Sequence, residues 1–127
     1  MVILICAAHV LKHNKTLSHL KLYKCGLSDE AIVELCDGLK CSNLKILNLE
    51  GNPFGDQGAK HLADVLRDHS TLEKLGVWGC DKMSGCGVQH LVDFMRSNTR
   101  VEMLSLSDEY RHLVPQELEH RIKFGFL

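Results

Sequence analysis

The chain has 127 residues, 45% of them hydrophobic and 24% charged, which fits one globular domain and excludes a disordered or collagen-like polymer. Fifteen Lys and Arg against sixteen Asp and Glu leave a net charge of −1, so no long-range field draws the chain to nucleic acid or to an anionic membrane, and neither is expected as a partner. The longest apolar run, near Val2 to Leu11, is broken by His9 and falls short of the roughly 18 residues a membrane-spanning helix requires, so a soluble protein is expected.

The opening MVILICAAHVLKHNK is apolar and holds the small residues Ala7 and Ala8, as a secretory signal does, but it lacks a basic start. Leu4, Ala7, Ala8 and Leu11 instead mark one stripe of an amphipathic helix, which predicts a helix within residues 1–16. Three similar blocks follow: LSHLKLYKCGL from Leu17, LKILNLEGNPF from Leu44 and LEKLGVWGCDKM from Leu72. A fourth start, VEMLSL, begins at Val101, so the intervals are 27, 28 and 29 residues. Each full block precedes a helical stripe in one common register: Ile32, Leu35, Cys36, Leu39; Ala59, Leu62, Ala63, Leu66; Val88, Leu91, Val92, Met95. Ser28, Asp56 and Ser84 stand ahead of these stripes, where a side-chain oxygen can cap the first helical N–H groups. The chain therefore divides into the helix of a truncated repeat at 1–16, repeats at 17–43, 44–71 and 72–100, and a last strand with a C-terminal cap at 101–127. Within the cap, Pro115 is expected to open a short helix carrying Leu118, Ile122 and Phe124 on one face. A partner-binding tail ending in Phe124, Phe126 and Leu127 is the alternative.

The pattern LxxLxLxxN/CxL followed by a full helix, at 27 to 29 residues, resembles the ribonuclease-inhibitor class of leucine-rich repeats over residues 4 to 106. The stretch GNPFGDQGAKHLADVL is most similar to the repeat arms of cytosolic nucleotide-binding, leucine-rich-repeat (NLR-type) receptors. The resemblance implies an α/β solenoid of about three and a half repeats, with a curved parallel sheet inside and helices outside. It also implies a cytoplasmic, non-catalytic module that binds a protein. No GxxxxGK[ST] is present, and Gly55, Gly58 and Lys60 only superficially suggest one. In such a solenoid Leu17, Leu20, Leu22 and their equivalents form the core, and Cys25, Asn52 and Cys80 at the ninth position hydrogen-bond buried backbone.

Six cysteines show neither CxxC pairs nor the density of a stapled scaffold, and are expected as reduced thiols, with Cys6, Cys41 and Cys86 accessible. Cys86 and His90 at i, i+4 supply two zinc ligands at most, and His61, His69, His112 and His120 share no cleft in the pattern. No nucleophile with an identifiable base stands out, so no enzyme, metal or cofactor is expected. What remains is the concave face. Its third-position row begins His19, Ile46, Lys74; its fifth, Lys21, Asn48, Gly76; its seventh, Tyr23, Glu50, Trp78. The expected partner-binding residues are Tyr23 and Trp78 as anchors with Glu50 between them, flanked by Lys21, Asn48, Lys74 and His19. The partner is a protein of unstated identity. The first strand, lacking a complete repeat before it, leaves an edge open to a parent chain or to self-association. The competing functional readings are a cytoskeletal or GTPase-regulating repeat protein and a secreted recognition module.

Overall fold

The computed structural model describes the backbone of residues 2–127 and the side chains from Ala8 onward; the stripe positions Leu4 and Ala7, and the thiol of Cys6, lie outside the described side chains. Helices and short strands alternate: α1 Val2–His13, β1 His19–Lys21, α2 Asp29–Leu39, β2 Ile46–Asn48, α3 Asp56–Leu66, β3 Lys74–Gly76, α4 Gly85–Ser97 and β4 Met103–Leu106. Two 3-10 helices, Asp108–Leu113 and Gln116–Arg121, lead into β5, Ile122–Phe124. All five strands form one parallel sheet in sequence order. His19 pairs with Ile46, Ile46 with Lys74 and Lys74 with Met103, so the ladder register is the repeat interval itself.

This register stacks like on like. Leu44, Leu47 and Leu49 of the second repeat and Leu72, Leu75 and Val77 of the third are buried between sheet and helices, together with the α2, α3 and α4 stripes. Each such aliphatic side chain contributes about 1.5 to 3 kcal/mol by leaving water. In the first repeat Leu17 and Leu20 are only half-buried, because β1 has no strand on its outer side.

Asn52 carries the turn after β2. Its amide donates to the carbonyls of Leu22 and Leu49 (both 2.8 Å), and its oxygen accepts from Cys25 N–H (2.9 Å) and Leu27 N–H (3.1 Å). At the equivalent place Cys80 is buried and its thiol donates to Leu49 O. Cys25 departs from the expectation. Its thiol turns to Tyr23 O within its own loop and is exposed, as are Cys41 and Cys86.

Helix capping crosses between repeats. Ser28 and Ser84 cap α2 and α4 as expected, accepting from Ala31 N–H and Cys86 N–H. Asp56 does not cap its own helix; Gly55 occupies that position, and Asp56 is the first residue of α3. Its carboxylate accepts from Ser84 N–H, Ser84 Oγ and Gly87 N–H at the start of the next helix. Asp29 does the same for Gly55 N–H and Gly58 N–H. Gly58 and Gly87 permit this approach, since a Cβ at either would stand 2.7 or 2.5 Å from the capping oxygen. Each carboxylate thus meets the positive end of the following helix dipole. Partial burial acts to raise the Asp56 pKa, but the bonds from Ser84 and Gly87 outweigh it and hold the carboxyl below its ordinary value. Gly85 takes the aspartate's place at the start of α4, and the element that follows β4 is a 3-10 helix.

Side chains from the segment after β4 reach back to α4. Arg121 donates to the carbonyls of Met95, Asn98 and Val101, satisfying the orphan C-terminal carbonyls of α4 and the turn into β4. Tyr110 Oη donates to Met83 O (2.5 Å), ahead of the N-terminus of α4. The helix expected after Pro115 is a 3-10 turn carrying only Leu118; Ile122 and Phe124 belong to β5, paired with Leu104 and Leu106. A strand wins here because the exposed edge of β4 offers unpaired backbone groups that an amphipathic helix could not satisfy.

Candidate functional site

The concave face is laid out by the registered strands, whose third and fifth positions point away from the leucine core. His19, Lys21 and Lys74 are exposed there, and Asn48 is half-buried. Beyond the strand ends, Tyr23 is 46% exposed with the Lys24 ammonium 5.4 Å from its ring centre, and Trp78 is half-buried. A cleft of about 380 Å³ opens between Tyr23 and Trp78, floored by Gly51 and Gly79 and flanked by Lys24, Asp81, Ser107 and Glu109. A smaller one of about 130 Å³ lies among Lys21, Ile46, Asn48, Lys74 and Leu127.

Glu50 requires a correction. Expected as an exposed polar group between two aromatic anchors, it is 1% exposed. Its carboxylate accepts from Asn48 Nδ2 (3.0 Å), Ser105 Oγ (2.6 Å) and Leu127 N–H (2.8 Å). The side chain reaches from the end of β2 across β3 to β4, and it crosses at Gly76. A Cβ there would lie 3.1 Å from Glu50 Cγ and Cδ and 3.2 Å from Leu127 Cδ2. Trp78 is likewise not paired with Tyr23. Its ring meets Phe126 edge-on, with centroids 4.9 Å apart and planes at 86°, the arrangement favoured by aromatic quadrupoles.

Gly76 and Ser105, which the pattern offers only as row positions, and Phe126 and Leu127, which it offers only as an alternative tail, are thus brought onto the site by the fold. The signal for Gly76 and Ser105 was the run of small fifth-position residues beside the Glu50 carboxylate. The tail's return has no periodic signal.

The other reactive candidates take structural positions. His69 is buried at the C-terminal end of α3. Its Nδ1 accepts from Leu72 N–H (3.1 Å), which leaves the proton on Nε2 to donate to Ser42 Oγ (3.0 Å). Burial disfavours the imidazolium and lowers the His69 pKa below its ordinary value. Burial also pushes the Cys36 thiol up to about 12 and the Cys80 thiol up to about 11, which keeps both un-ionised at neutral pH. Cys25, Cys36, Cys41, Cys80 and Cys86 are free. Among the described residues no group of three or more His, Cys, Asp or Glu side chains is placed to hold a metal ion, and Cys86 with His90 gains no third ligand. Among the described residues no helix is long and apolar enough to cross a membrane.

Comparison with known proteins places these features. The Leucine Rich repeat family matches residues 13–36 and 40–63. NACHT, LRR and PYD domains-containing protein 13 of Homo sapiens is 30% identical, over 76% of this chain and 12% of its own length. Ribonuclease inhibitor of Sus scrofa is 33% identical, over 72% of this chain and 20% of its own length. The chain therefore spans a fifth or less of the length of these relatives. Among solved structures, Leiomodin-1 Actin-Binding Site 2 superposes with a TM-score of 0.70 at 15% identity, covering 79% of this chain and 59% of that one, a likeness of fold alone. Sequence period, strand register and relatives agree, and the chain belongs to the leucine-rich-repeat proteins of ribonuclease-inhibitor type, resembling the repeat arm of an NLR-type receptor.

Proposed function

We propose that this chain is a non-catalytic, cytoplasmic protein–protein interaction module, part or a short relative of an NLR-type receptor or a ribonuclease-inhibitor-like protein, that binds its partner on the concave face. The observation that carries the proposal is the unfilled cleft between Tyr23 and Trp78, two aromatic side chains held on a rigid parallel floor. Aromatic anchors beside a desolvated polar group are what dominate measured interfaces. Tyr23 and Trp78 anchor the partner, and Asn48, Lys21, Lys74 and His19 give direction and charge. Lys21 and Lys74 favour acidic groups at one side of the face, while Asp81 and Glu109 favour basic ones at the other. The open edge of β1 is the second contact surface, through which copies of the chain self-associate.

The test is capture of partners by the whole chain from a cytosolic extract, identified by mass spectrometry, followed by affinity measurement with the partner found. Trp78→Ala and Tyr23→Ala are each expected to weaken binding by about 30-fold, the equivalent of about 2 kcal/mol at a hot spot. Lys60→Ala, on the exposed face of α3, is the control and leaves affinity unchanged. Loss of binding in the control with no change in Trp78→Ala would move recognition to the convex side. Sedimentation that shows a monomer at every concentration would remove the self-association.

A further inference from the structure

The segment that follows β5 does not leave the molecule. Phe126 and Leu127 turn back over the concave face, and each group they present meets a matching group there. The Phe126 ring stands edge-on to Trp78. The Leu127 N–H donates to Glu50 Oε2 at 2.8 Å, and the Leu127 side chain lies over Gly76. Glu50 is built to receive that N–H: it is 1% exposed, and Asn48 and Ser105 hold its carboxylate in place through side-chain bonds. A buried carboxylate aimed at a backbone amide, beside an indole and a gap in the side-chain row, is a receptor for peptide backbone and two side chains.

The seat is also only partly filled. Phe126 remains 62% exposed, touching Trp78 by one edge, and the 380 Å³ cleft between Trp78 and Tyr23 beside it holds nothing from the tail. An occupant so weakly covered is displaceable, and a longer segment would gain contacts that the tail does not make.

Building on the concave-face reading above, we propose that this receptor takes an extended partner segment in which an aromatic residue precedes an aliphatic one, and that Phe126–Leu127 occupies it as an intramolecular ligand which such a partner must displace. The aromatic side chain enters between Trp78 and Tyr23, the next residue's N–H binds Glu50, and its side chain covers Gly76.

The probe is a fluorescein-labelled peptide copying residues 123–127, titrated against the full chain and against the full chain carrying Phe126→Ala and Leu127→Ala. A tail seated about four-fifths of the time lowers the apparent affinity of a competing peptide about fivefold, because only the unoccupied fraction binds. The doubly substituted chain is therefore expected to bind the peptide at least about fivefold more tightly than the unaltered chain. Adding Trp78→Ala should abolish that binding. Because Trp78 is the only tryptophan, its emission gives a second readout: it shifts to the red when Phe126 and Leu127 are replaced, and peptide restores it. A short linker supplies an effective concentration on the order of 1 mM, so a seated tail requires the peptide to bind the emptied face below about that concentration. No binding at about 1 mM, equal affinity for the two chains, or binding that survives Trp78→Ala would each overturn the inference. A captured partner that depends on Trp78 and Tyr23 while the peptide fails would sink this inference alone and leave the proposed function standing.

Discussion

Replacing Asn52 by Ala tests the internal logic of the fold at one side chain. In the native chain that amide fills four bonds at 2.8 to 3.1 Å, two of them to the N–H groups of Cys25 and Leu27 and two to the carbonyls of Leu22 and Leu49. Asn52 is 1% exposed, so water does not replace it easily. Each buried N–H left without an acceptor costs about 1 to 3 kcal/mol, and the two carbonyls add less because each has a second lone pair. The expected loss is about 3 to 5 kcal/mol, a large part of the 5 to 15 kcal/mol that stabilises a typical domain. Urea unfolding followed by circular dichroism measures it, with the slope expected to stay near the parent value because the native area buried is nearly unchanged. Asn52→Cys provides a graded control. The thiol can donate to Leu22 O, the equivalent in the preceding repeat of the Leu49 O that Cys80 uses, but accepts poorly from the two N–H groups, so its loss should fall between those of the parent and Asn52→Ala. A loss under about 1 kcal/mol for Asn52→Ala, with native-like amide protection at Cys25 and Leu27, would refute the claim that this ladder holds the repeats together.

Arg121→Met should destabilise the chain by about 2 to 4 kcal/mol and raise amide exchange first in the last turn of α4, because it strips the carbonyls of Met95, Asn98 and Val101 of their donor. Arg121→Lys should recover little, since a single ammonium cannot reproduce the guanidinium fork, and full recovery would argue for charge alone. His69 has its pKa lowered in the fold, so the stability it contributes is fully present above the unfolded value of about 6.5 and is lost as pH falls below that toward the folded pKa. His69→Asn, which places there the acceptor that Asn98 uses toward Arg100 N–H, should flatten this part of the pH–stability curve; an unchanged slope would exclude His69 as its source. A thiol reagent should label Cys25, Cys41 and Cys86 in the native chain while Cys36 and Cys80 wait for unfolding, and mass spectrometry of labelled peptides would expose any reversal of that order.

The amino-acid sequence by itself determined the repeat and everything that depends on neighbours one interval apart. The blocks at Leu17, Leu44, Leu72 and Val101 carry their own register, because a leucine that misses its equivalent in the next repeat leaves apolar surface in water. The same reasoning reached the helix stripes, the Ser28 and Ser84 caps and the bonding duty at Asn52 and Cys80. It placed Asp56 on the wrong helix, since a carboxylate at the first helical position has two helix starts within reach and only packing shows that Ser84 and Gly87 are the nearer donors. It also read Phe124 into a helix and left Phe126 and Leu127 as a tail. Those positions follow no period. Their place depends on β4 presenting an edge for β5 and on Gly76 leaving room for Glu50 and Leu127 to meet, a bond that joins residues 77 apart. Contacts of that separation arise only when the whole solenoid is assembled, which is why the floor of the concave face was legible in the chain and the occupant of that floor was not.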